Sequence, residues 1–241
     1  MYTDPWEPLS DALMDYHRGD RNAYITVRSD IEDPVRNPIN YFFREPDDFP
    51  PLEKTAITAC RGKILEIGAG AGSHSLALQE MGFDVTAMEI SLKACDVMKD
   101  RGIRSILNAD IFEHQTQKKY DTILMMMNGI GIVGKLNRLP EFLDKIKLAL
   151  ASGGQVIFDS LDLRESISET VIQARYAVPG REYFGEVKYR IEYKGWIGPE
   201  YWWLYIDPDK TEEIAGSCGW TIDSIYPYGE GTYLAILSIS E

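Results

Sequence analysis

The chain has 241 residues, of which 44% are hydrophobic, 26% charged and 11% aromatic, and its formal charge at pH 7 is −13. This composition excludes collagen-like, disordered and disulfide-rich classes of protein. The acidic balance argues against nucleic acid as a partner, because a phosphate backbone needs neutralising cations. Three widely spaced cysteines, an acidic N-terminus and the lack of an apolar run of about 18 residues predict a cytoplasmic protein without disulfides or a membrane span.

Residues 1–60 precede the first clear strand, and we expect them to form a helical cap rather than a separate domain. Helices are predicted at residues 8–17 and 52–60, on either side of a proline-rich stretch at residues 33–51. The whole chain is therefore treated as one domain, present as a monomer or a homodimer.

Residues 61–160 alternate short apolar runs with helix-like segments, a pattern that predicts a parallel sheet flanked by helices. Strands are predicted at residues 63–67, 84–89, 105–107, 121–127 and 155–159. The intervening helices are predicted at residues 73–81, 92–101 and 139–150. Because the strands are almost entirely apolar, we expect both faces of the sheet to be buried.

Residues 161–207 form a predicted insertion that is rich in aromatic residues. Apolar and charged residues alternate from Val187 to Tyr193, and a second strand-like run follows at residues 201–206, which is typical of an antiparallel hairpin. Residues 208–241 then return to a helix, predicted at 211–218, and two strands near 221–226 and 233–239 that close the edge of the sheet.

The strongest local signal is an apolar strand that runs through three alternating glycines into a helix, with the sequence Ile64-Leu65-Glu66-Ile67-Gly68-Ala69-Gly70-Ala71-Gly72-Ser73-His74. Glycines in such a turn permit positive φ and let the backbone approach a bound molecule closely. The helix N-terminus that follows presents unpaired N–H groups to an anionic group. The loop therefore predicts a site for a ligand that carries a phosphate or a carboxylate.

The spacing of the glycines departs from the dinucleotide-binding fingerprint G-x-G-x-x-G, which would need glycine where this chain has Ser73. Glu89 closes the second predicted strand about 20 residues after the loop, where an acidic side chain can accept hydrogen bonds from ribose hydroxyls. Nicotinamide enzymes share this acid, so an NAD(P)-dependent oxidoreductase is kept as an alternative function.

Taken together, these features resemble the class I S-adenosylmethionine-dependent methyltransferases along residues 62–160. In that family the E/D-x-G-x-G-x-G loop surrounds the methionine part of the cofactor, the acid at the end of the second strand binds the ribose, and an Asp after the third strand meets the adenine. The end of the fourth strand borders both cofactor and substrate. The cofactor-binding residues implied by the resemblance are Glu66, Gly68, Ala69, Gly70, Gly72, Glu89, Ile90, Asp110, Ile111, Met127 and Asn128.

The resemblance also implies the fold class, which is α/β. We expect a Rossmann-like, mostly parallel seven-stranded sheet with an antiparallel last strand and helices on both faces, plus the antiparallel hairpin insertion. For Asp110 an alternative stays open, since an Asp in this position often caps the following turn.

If the cofactor is S-adenosylmethionine, the methyl group is already activated, and the enzyme acts mainly by positioning a small-molecule acceptor for in-line displacement and by excluding water. Asp159 and Asn128, which follow the fifth and fourth strands, are the candidates for positioning or accepting a proton from the substrate; Asp162 and His74 are further candidates for a base. The sequence shows no clear cluster of hard oxygen ligands, so no metal is predicted. A non-catalytic cofactor-binding module is a second alternative.

Two segments are candidates for a lid over the transfer site. One is Tyr41-Phe42-Phe43-Arg44, in which Arg44 can pair with a carboxylate. The other is the insertion, represented by Asp162 and Trp202, whose many aromatic residues would suit a hydrophobic substrate or a cation over aromatic faces. Ordinary core packing is the alternative role for most of these aromatic residues.

Overall fold

The computed structural model describes residues 3–115, 118–176 and 178–240. The strands in these ranges are β1 (Tyr24–Ser29), β2 (Val35–Pro38), β3 (Lys63–Ile67), β4 (Asp84–Glu89), β5 (Ile106–Asn108), β6 (Tyr120–Met125), β7 (Leu150–Leu161), β8 (Glu186–Tyr193), β9 (Trp196–Ile197), β10 (Tyr201–Leu204), β11 (Trp220–Pro227) and β12 (Thr232–Ile239). The α-helices are α1 (Glu7–His17), α2 (Pro51–Ala59), α3 (Ser73–Glu80), α4 (Leu92–Asp100), α5 (Leu139–Ala149), α6 (Leu163–Ser166), α7 (Glu169–Tyr176) and α8 (Pro208–Ser217). Short 3₁₀ segments occupy Ile39–Phe43, Pro46–Asp48, Gly129–Val133 and Leu136–Arg138.

The larger sheet has seven strands in the order β11-β12-β7-β6-β3-β4-β5. Strands β7, β6, β3, β4 and β5 are parallel to one another, whereas β12 is antiparallel to both β7 and β11. The predicted fold class is therefore confirmed, including the antiparallel last strand. Strand β7 is longer than predicted because it begins at Leu150, directly after α5.

A second, antiparallel sheet has the strand order β10-β8-β1-β2, with β9 paired to β8. The predicted hairpin supplies β8 and β10, but the first 60 residues supply β1 and β2, so this region is more than the helical cap expected from the sequence. The run Tyr24-Ile25-Thr26-Val27 has the β-branched and aromatic composition of a strand. Helices α6 and α7, in the insertion, were also not predicted.

Helices α4 and α8 both begin at a side-chain cap. Ser91 caps α4 by accepting a hydrogen bond from the Ala94 amide at 3.3 Å, and Asp207 caps α8 by accepting one from the Lys210 amide at 3.0 Å.

No helix within the described residues is long and apolar enough to cross a membrane.

Helix α1 joins the two sheets. Its residue Leu13 is buried in one apolar cluster with Ile25 of β1, Ile191 of β8 and Val97 of α4. Because α4 belongs to the parallel sheet's helical layer, this cluster fixes the second sheet relative to the ends of the parallel strands.

Because it has no side chain, Gly185 allows close contact between the segment that leads into β8 and the segment that follows β10. Its carbonyl accepts a hydrogen bond from the Tyr205 amide at 2.8 Å, and a Cβ at this position would lie 1.7 Å from the Tyr205 carbonyl oxygen. We expect Gly185→Ala to lower the free energy of unfolding by about 1–3 kcal/mol or more, as overpacking does.

Gly216→Ala is the matched control, because Gly216 lies in α8 with open space where its Cβ would be. That change should raise stability by up to about 1 kcal/mol, since Ala is the better helix former. Denaturant unfolding of both variants measures the difference. Equal midpoints for the two variants would contradict the close approach at Gly185.

Candidate functional site

A cavity of about 780 Å³ lies between the carboxyl ends of the parallel strands and the second sheet. Its wall includes Gly68 after β3, Ile90 after β4 and Met127 after β6 on one side. The other side includes residues of β8 and β10. Open parallel sheets bind ligands beyond the carboxyl ends of their strands, so this is the candidate functional site.

The glycine loop between β3 and α3 has the open backbone that the sequence predicts. Gly68 (φ +75°) and Gly70 (φ +56°) both line the cavity, and a Cβ at either position would meet no atom within 4 Å. Gly72 (φ +81°) does not line it. A Cβ there would lie 2.2 Å from Cδ1 of Ile103, so Gly72 is needed for the turn and for packing. The sequence placed Gly72 among the cofactor-binding residues, but Gly72 does not line the cavity.

Glu89 connects the glycine loop to the neighbouring strand. One carboxylate oxygen accepts a hydrogen bond from the Gly70 amide at 2.9 Å, and the other accepts one from the Ser91 amide at 3.0 Å. Burial raises the pKa of this carboxyl group despite these two donors. Glu89 lines the cavity, so its remaining acceptor sites are available to a ligand.

The next part of the wall comes from the segments that follow β4 and β5. Ile90, Asp110 and Ile111 all line the cavity. Asp110 also accepts a hydrogen bond from the Phe112 amide at 2.8 Å, so it stabilises the turn after β5 as well as facing the cavity. The sequence left Asp110 as either an adenine contact or a turn cap; the structure shows the turn hydrogen bond, and the position at the cavity leaves the adenine contact open to it.

A buried ion cluster lies behind the glycine loop and consists of Arg44, Glu53, Glu66 and His74. Nε2 of His74 lies 2.8 Å from Glu53, and Nδ1 lies 3.4 Å from Glu66. Arg44 donates to both oxygens of Glu53, at 2.7 and 3.0 Å. Ser75 donates to the other oxygen of Glu66. The cluster therefore joins α2 and the segment before it to β3 and α3.

The electrostatics of this cluster favour a charged histidine. Burial alone would lower the pKa of His74, but its hydrogen bonds to Glu53 and Glu66 outweigh burial and raise the pKa to about 9. For Glu53, burial opposes ionisation, but hydrogen bonds from His74 and Arg44 prevail and lower the pKa. His74 lies in the first turn of α3, near the helix start as the sequence suggests, yet it is buried. Glu53 was not identified from the sequence.

The two N-terminal lid candidates, Tyr41 and Arg44, both line the cavity. The Arg44 guanidinium lies 3.8 Å from the centre of the Tyr41 ring and donates to the Tyr41 carbonyl at 2.9 Å. The same guanidinium is bound by Glu53, so a substrate carboxylate would have to compete with Glu53 for it.

Asp159 lies at the end of β7 and holds the backbone at the end of β6. Both of its carboxylate oxygens lie 2.9 Å from the Asn128 amide that donates to them. Met127 (φ 63°) and Asn128 (φ 57°) both adopt the left-handed conformation, which non-glycine residues rarely do. Burial raises the pKa of Asp159 to about 6. Met127 lines the cavity, whereas Asp159 and Asn128 do not.

The remaining two candidates from the insertion lie outside the cavity. Asp162 caps α6 and pairs with Arg164 at 2.7 Å. Trp202 points away, with the Lys135 and Lys188 amines 4.5 and 4.9 Å from its ring centre. Its neighbour Trp203 lines the cavity instead, because successive side chains of a strand point to opposite faces.

The second sheet and the start of α1 complete the wall with a set of aromatic residues. They are Trp6, Tyr189, Tyr201, Trp203 and Tyr205. Four of these belong to the aromatic run of the insertion, but Trp6 was not singled out from the sequence, and neither was Glu32, which also lines the cavity. No cluster of three or more His, Cys, Asp or Glu side chains that could hold a metal occurs in the part of the chain that the structure describes.

The residues present fit the cofactor that the resemblance implies. The loop leaves open space where a Cβ would otherwise stand at Gly68 and Gly70, and a carboxylate faces the same space from β4. The cavity is within the range of about 300–1,000 Å³ that small-molecule sites occupy. A nucleoside-bearing amino acid can therefore enter beside the loop with its sugar near Glu89.

Comparisons with known proteins agree with this geometry. A family model described as a methyltransferase domain matches residues 35–198. The chain is 34% identical to a SAM-dependent methyltransferase from Bacteroides fragilis solved in complex with S-adenosyl-L-homocysteine, over 98% of this chain and 96% of that one, with a TM-score of 0.88.

More distant structures share the fold. The CcbJ methyltransferase from Streptomyces caelestis is 12% identical over 84% of this chain and 95% of that one, with a TM-score of 0.63. The glycopeptide N-methyltransferase MtfA, solved with S-adenosylmethionine, is 14% identical over 83% and 91%, with a TM-score of 0.58. No curated protein matches the chain significantly. The family model and the Bacteroides structure show that the chain belongs to the class I S-adenosylmethionine-dependent methyltransferases, with S-adenosylmethionine as its cofactor.

Proposed function

We propose that the protein transfers the methyl group of S-adenosylmethionine to a small-molecule acceptor that binds against the second sheet. One observation carries this proposal: a single cavity is lined by the glycine loop and Glu89 on one side and by β8 and β10 on the other. Cofactor and acceptor can therefore meet inside the protein. Because strands β1 and β2 and the insertion cover the strand ends, the volume available favours a small acceptor over a macromolecule.

The cavity wall suggests which residues hold each part of the cofactor. We assign the methionine part to the loop from Glu66 to Gly70, including Ala69, and the ribose hydroxyls to the Glu89 carboxylate. The adenine would lie beside Ile90, Asp110 and Ile111. These assignments are supported by the position of each residue at the cavity and by the hydrogen bond that fixes Gly70 to Glu89.

When bound, S-adenosylmethionine supplies a methyl group that its sulfonium has already activated. The chain's own residues then have to hold the acceptor about 3 Å from that methyl group and exclude water, which lowers the barrier without a dedicated acid or base. His74 is unsuited to act as a base, because it is protonated at neutral pH and held between Glu53 and Glu66. Asp162 is likewise occupied by Arg164.

We assign Asp159 a positioning role. By binding the Asn128 amide it holds Met127 and Asn128 in their left-handed conformation, and this places Met127 in the wall where cofactor and acceptor meet. Such backbone strain persists only when neighbouring groups enforce it, and it is concentrated at functional sites.

Family membership does not favour the oxidoreductase alternative. A turnover assay distinguishes an enzyme from the alternative of a non-catalytic cofactor-binding module. Incubation with S-adenosylmethionine and a panel of small amines, alcohols and carboxylates should release S-adenosylhomocysteine with at least one acceptor. Cofactor binding without product from any member of the panel would count against the proposed function.

Gly70→Ala should weaken the binding of S-adenosylhomocysteine by about tenfold or more, equivalent to about 1.4 kcal/mol. The new methyl group would occupy the cavity beside the loop, and Ala strains the left-handed backbone that directs the Gly70 amide to Glu89. Isothermal titration calorimetry measures the affinity.

Gly82→Ala provides the matched control, because Gly82 also has a positive φ (+91°) and open space at its Cβ but lies after α3, away from the cavity. Both variants should lose about 1–2 kcal/mol of stability from backbone strain. If the two bind S-adenosylhomocysteine equally well, the assignment of the loop is wrong.

Asp159→Asn tests the positioning role. In the unaltered protein, affinity for S-adenosylhomocysteine should fall as the pH decreases through about 6, because a protonated Asp159 no longer offers two acceptors to the Asn128 amide. The variant should bind more weakly at neutral pH and show a flatter pH profile. Unchanged affinity and an unchanged profile would show that Asp159 does not position the cavity wall.

His74→Gln tests the ion cluster behind the loop. The folded-state pKa of His74 lies above its ordinary 6.5, so the stabilisation is complete below pH 6.5 and is lost as the pH rises through about 9. The variant should be less stable by on the order of 3 kcal/mol near neutral or lower pH, and the difference should shrink above about pH 9. Denaturant unfolding across this range measures it, with His114→Gln, outside the cluster, as control. A difference that is independent of pH would rule out a charged His74.

A further inference from the structure

The acceptor side of the cavity is lined by a continuous group of aromatic rings. The Trp6 ring lies 4.6 Å from Tyr201 and 5.7 Å from Trp203, measured between ring centres. Tyr189 lies 6.0 Å from Tyr201 and 6.5 Å from Tyr205. All five rings line the cavity, and they come from α1, β8, β10 and the residues beside them. We call this group the aromatic wall.

The hydroxyl groups of the aromatic wall stay neutral. Burial raises the pKa values of Tyr189, Tyr201 and Tyr205, and the Tyr189 and Tyr205 hydroxyls are hydrogen-bonded at 2.9 Å. The wall therefore offers electron-rich ring faces without phenolate charges. Neutral aromatic faces attract cations through the quadrupole of the ring.

Acidic groups add to this attraction. Glu32 lines the cavity, and its carboxylate is close enough to raise the pKa of both Tyr189 and Tyr205 further. The buried Asp159 has the same effect on Tyr205. The potential on the acceptor side is therefore negative.

The cations that line the cavity do not cancel this potential. Arg44 and His74 are both bound by Glu53. The guanidinium of Arg138 lies 3.9 Å from the ring centre of Phe112, two residues after Asp110 and so on the proposed adenine side. Among the described residues that line the cavity, these three are the cationic side chains. The two guanidiniums stack on Tyr41 and Phe112, which are not part of the aromatic wall.

We propose that the acceptor atom is the nitrogen of an amine carried on an apolar body, bound by the aromatic wall and Glu32; this inference rests on the proposed methyl transfer. An amine that enters as its ammonium ion first gives up a proton to solvent. The lone pair of the neutral nitrogen then forms the new bond to the methyl carbon, the carbon–sulfur bond breaks with its electron pair passing to sulfur, and a proton leaves the methylated nitrogen for solvent. A carboxylate acceptor would meet like charge and no free cation. The methylated ammonium formed in the transfer is the species that the ring faces stabilise best.

Three probes of similar shape test the charge preference in protein saturated with S-adenosylhomocysteine. They are 3-hydroxyphenyltrimethylammonium, its neutral carbon counterpart 3-tert-butylphenol, and 3-hydroxybenzoate. The ammonium should bind about tenfold more tightly than the neutral probe, because a desolvated cation over aromatic faces gains about 1–2 kcal/mol. The benzoate should bind most weakly.

Paired variants test whether the preference for a cationic probe depends on the aromatic wall. Tyr201→Phe keeps the ring face and should retain ammonium binding within about twofold, whereas Tyr201→Leu removes the face and should weaken it by about fivefold or more. Glu32→Gln should weaken ammonium binding and reduce its dependence on salt. Affinity for S-adenosylhomocysteine should be the same in all three variants, which shows that they are folded with an intact cofactor site.

Turnover separates the failure of this inference from the failure of the proposed function. With phenethylamine, 2-phenylethanol and phenylacetate as acceptors, we expect methyl transfer to the amine. Transfer to the alcohol or the carboxylate instead would support the proposed function and overturn the amine. Equal or tighter binding of the neutral or anionic probe, or equal binding by the two Tyr201 variants, would also overturn it.

Discussion

The hydrogen bond from the Gly70 amide to Glu89 is the interaction on which the site depends. It forms only because Gly70 adopts a left-handed backbone, which turns its amide toward β4 and leaves open space on the other side of the loop. One residue therefore fixes the loop to the sheet and opens the wall of the cavity. A side chain at this position would disturb both at once.

The second constraint is the pairing of two segments that are far apart in sequence. Strand β1 pairs with β8, so the N-terminal region and the insertion form one sheet over the ends of the parallel strands. Neither segment alone would enclose an acceptor. The aromatic wall follows from this pairing, since Trp6 precedes α1 and its ring partners lie on β10.

The sequence predicts the parts of the molecule that depend on local chemistry. Alternating glycines, apolar strands and an acid at a strand end are visible in the sequence itself. The structure places Gly68, Gly70 and Glu89 at one cavity. Prediction from local chemistry fails for the two adjacent tryptophans: the sequence analysis selected Trp202, whereas Trp203 lines the cavity. Which of two adjacent tryptophans faces the cavity depends on the register of β10 against β8, and that register is set by the fold as a whole.

Contacts between distant segments are the features that the sequence does not reveal. His74 was visible as a residue at the start of a helix, but its charge depends on Glu53, which lies in α2 and has no local pattern that marks it. A buried cluster of this kind costs desolvation energy that a set of packed apolar residues would not. Its benefit is specificity, because hydrogen bonds and ion pairs among the cluster's four side chains require one defined arrangement. That arrangement holds Tyr41 and the glycine loop on adjoining parts of the cavity wall. The cluster also pairs two cations that line the cavity, Arg44 and His74, with carboxylates, so neither offsets the negative potential of the aromatic wall.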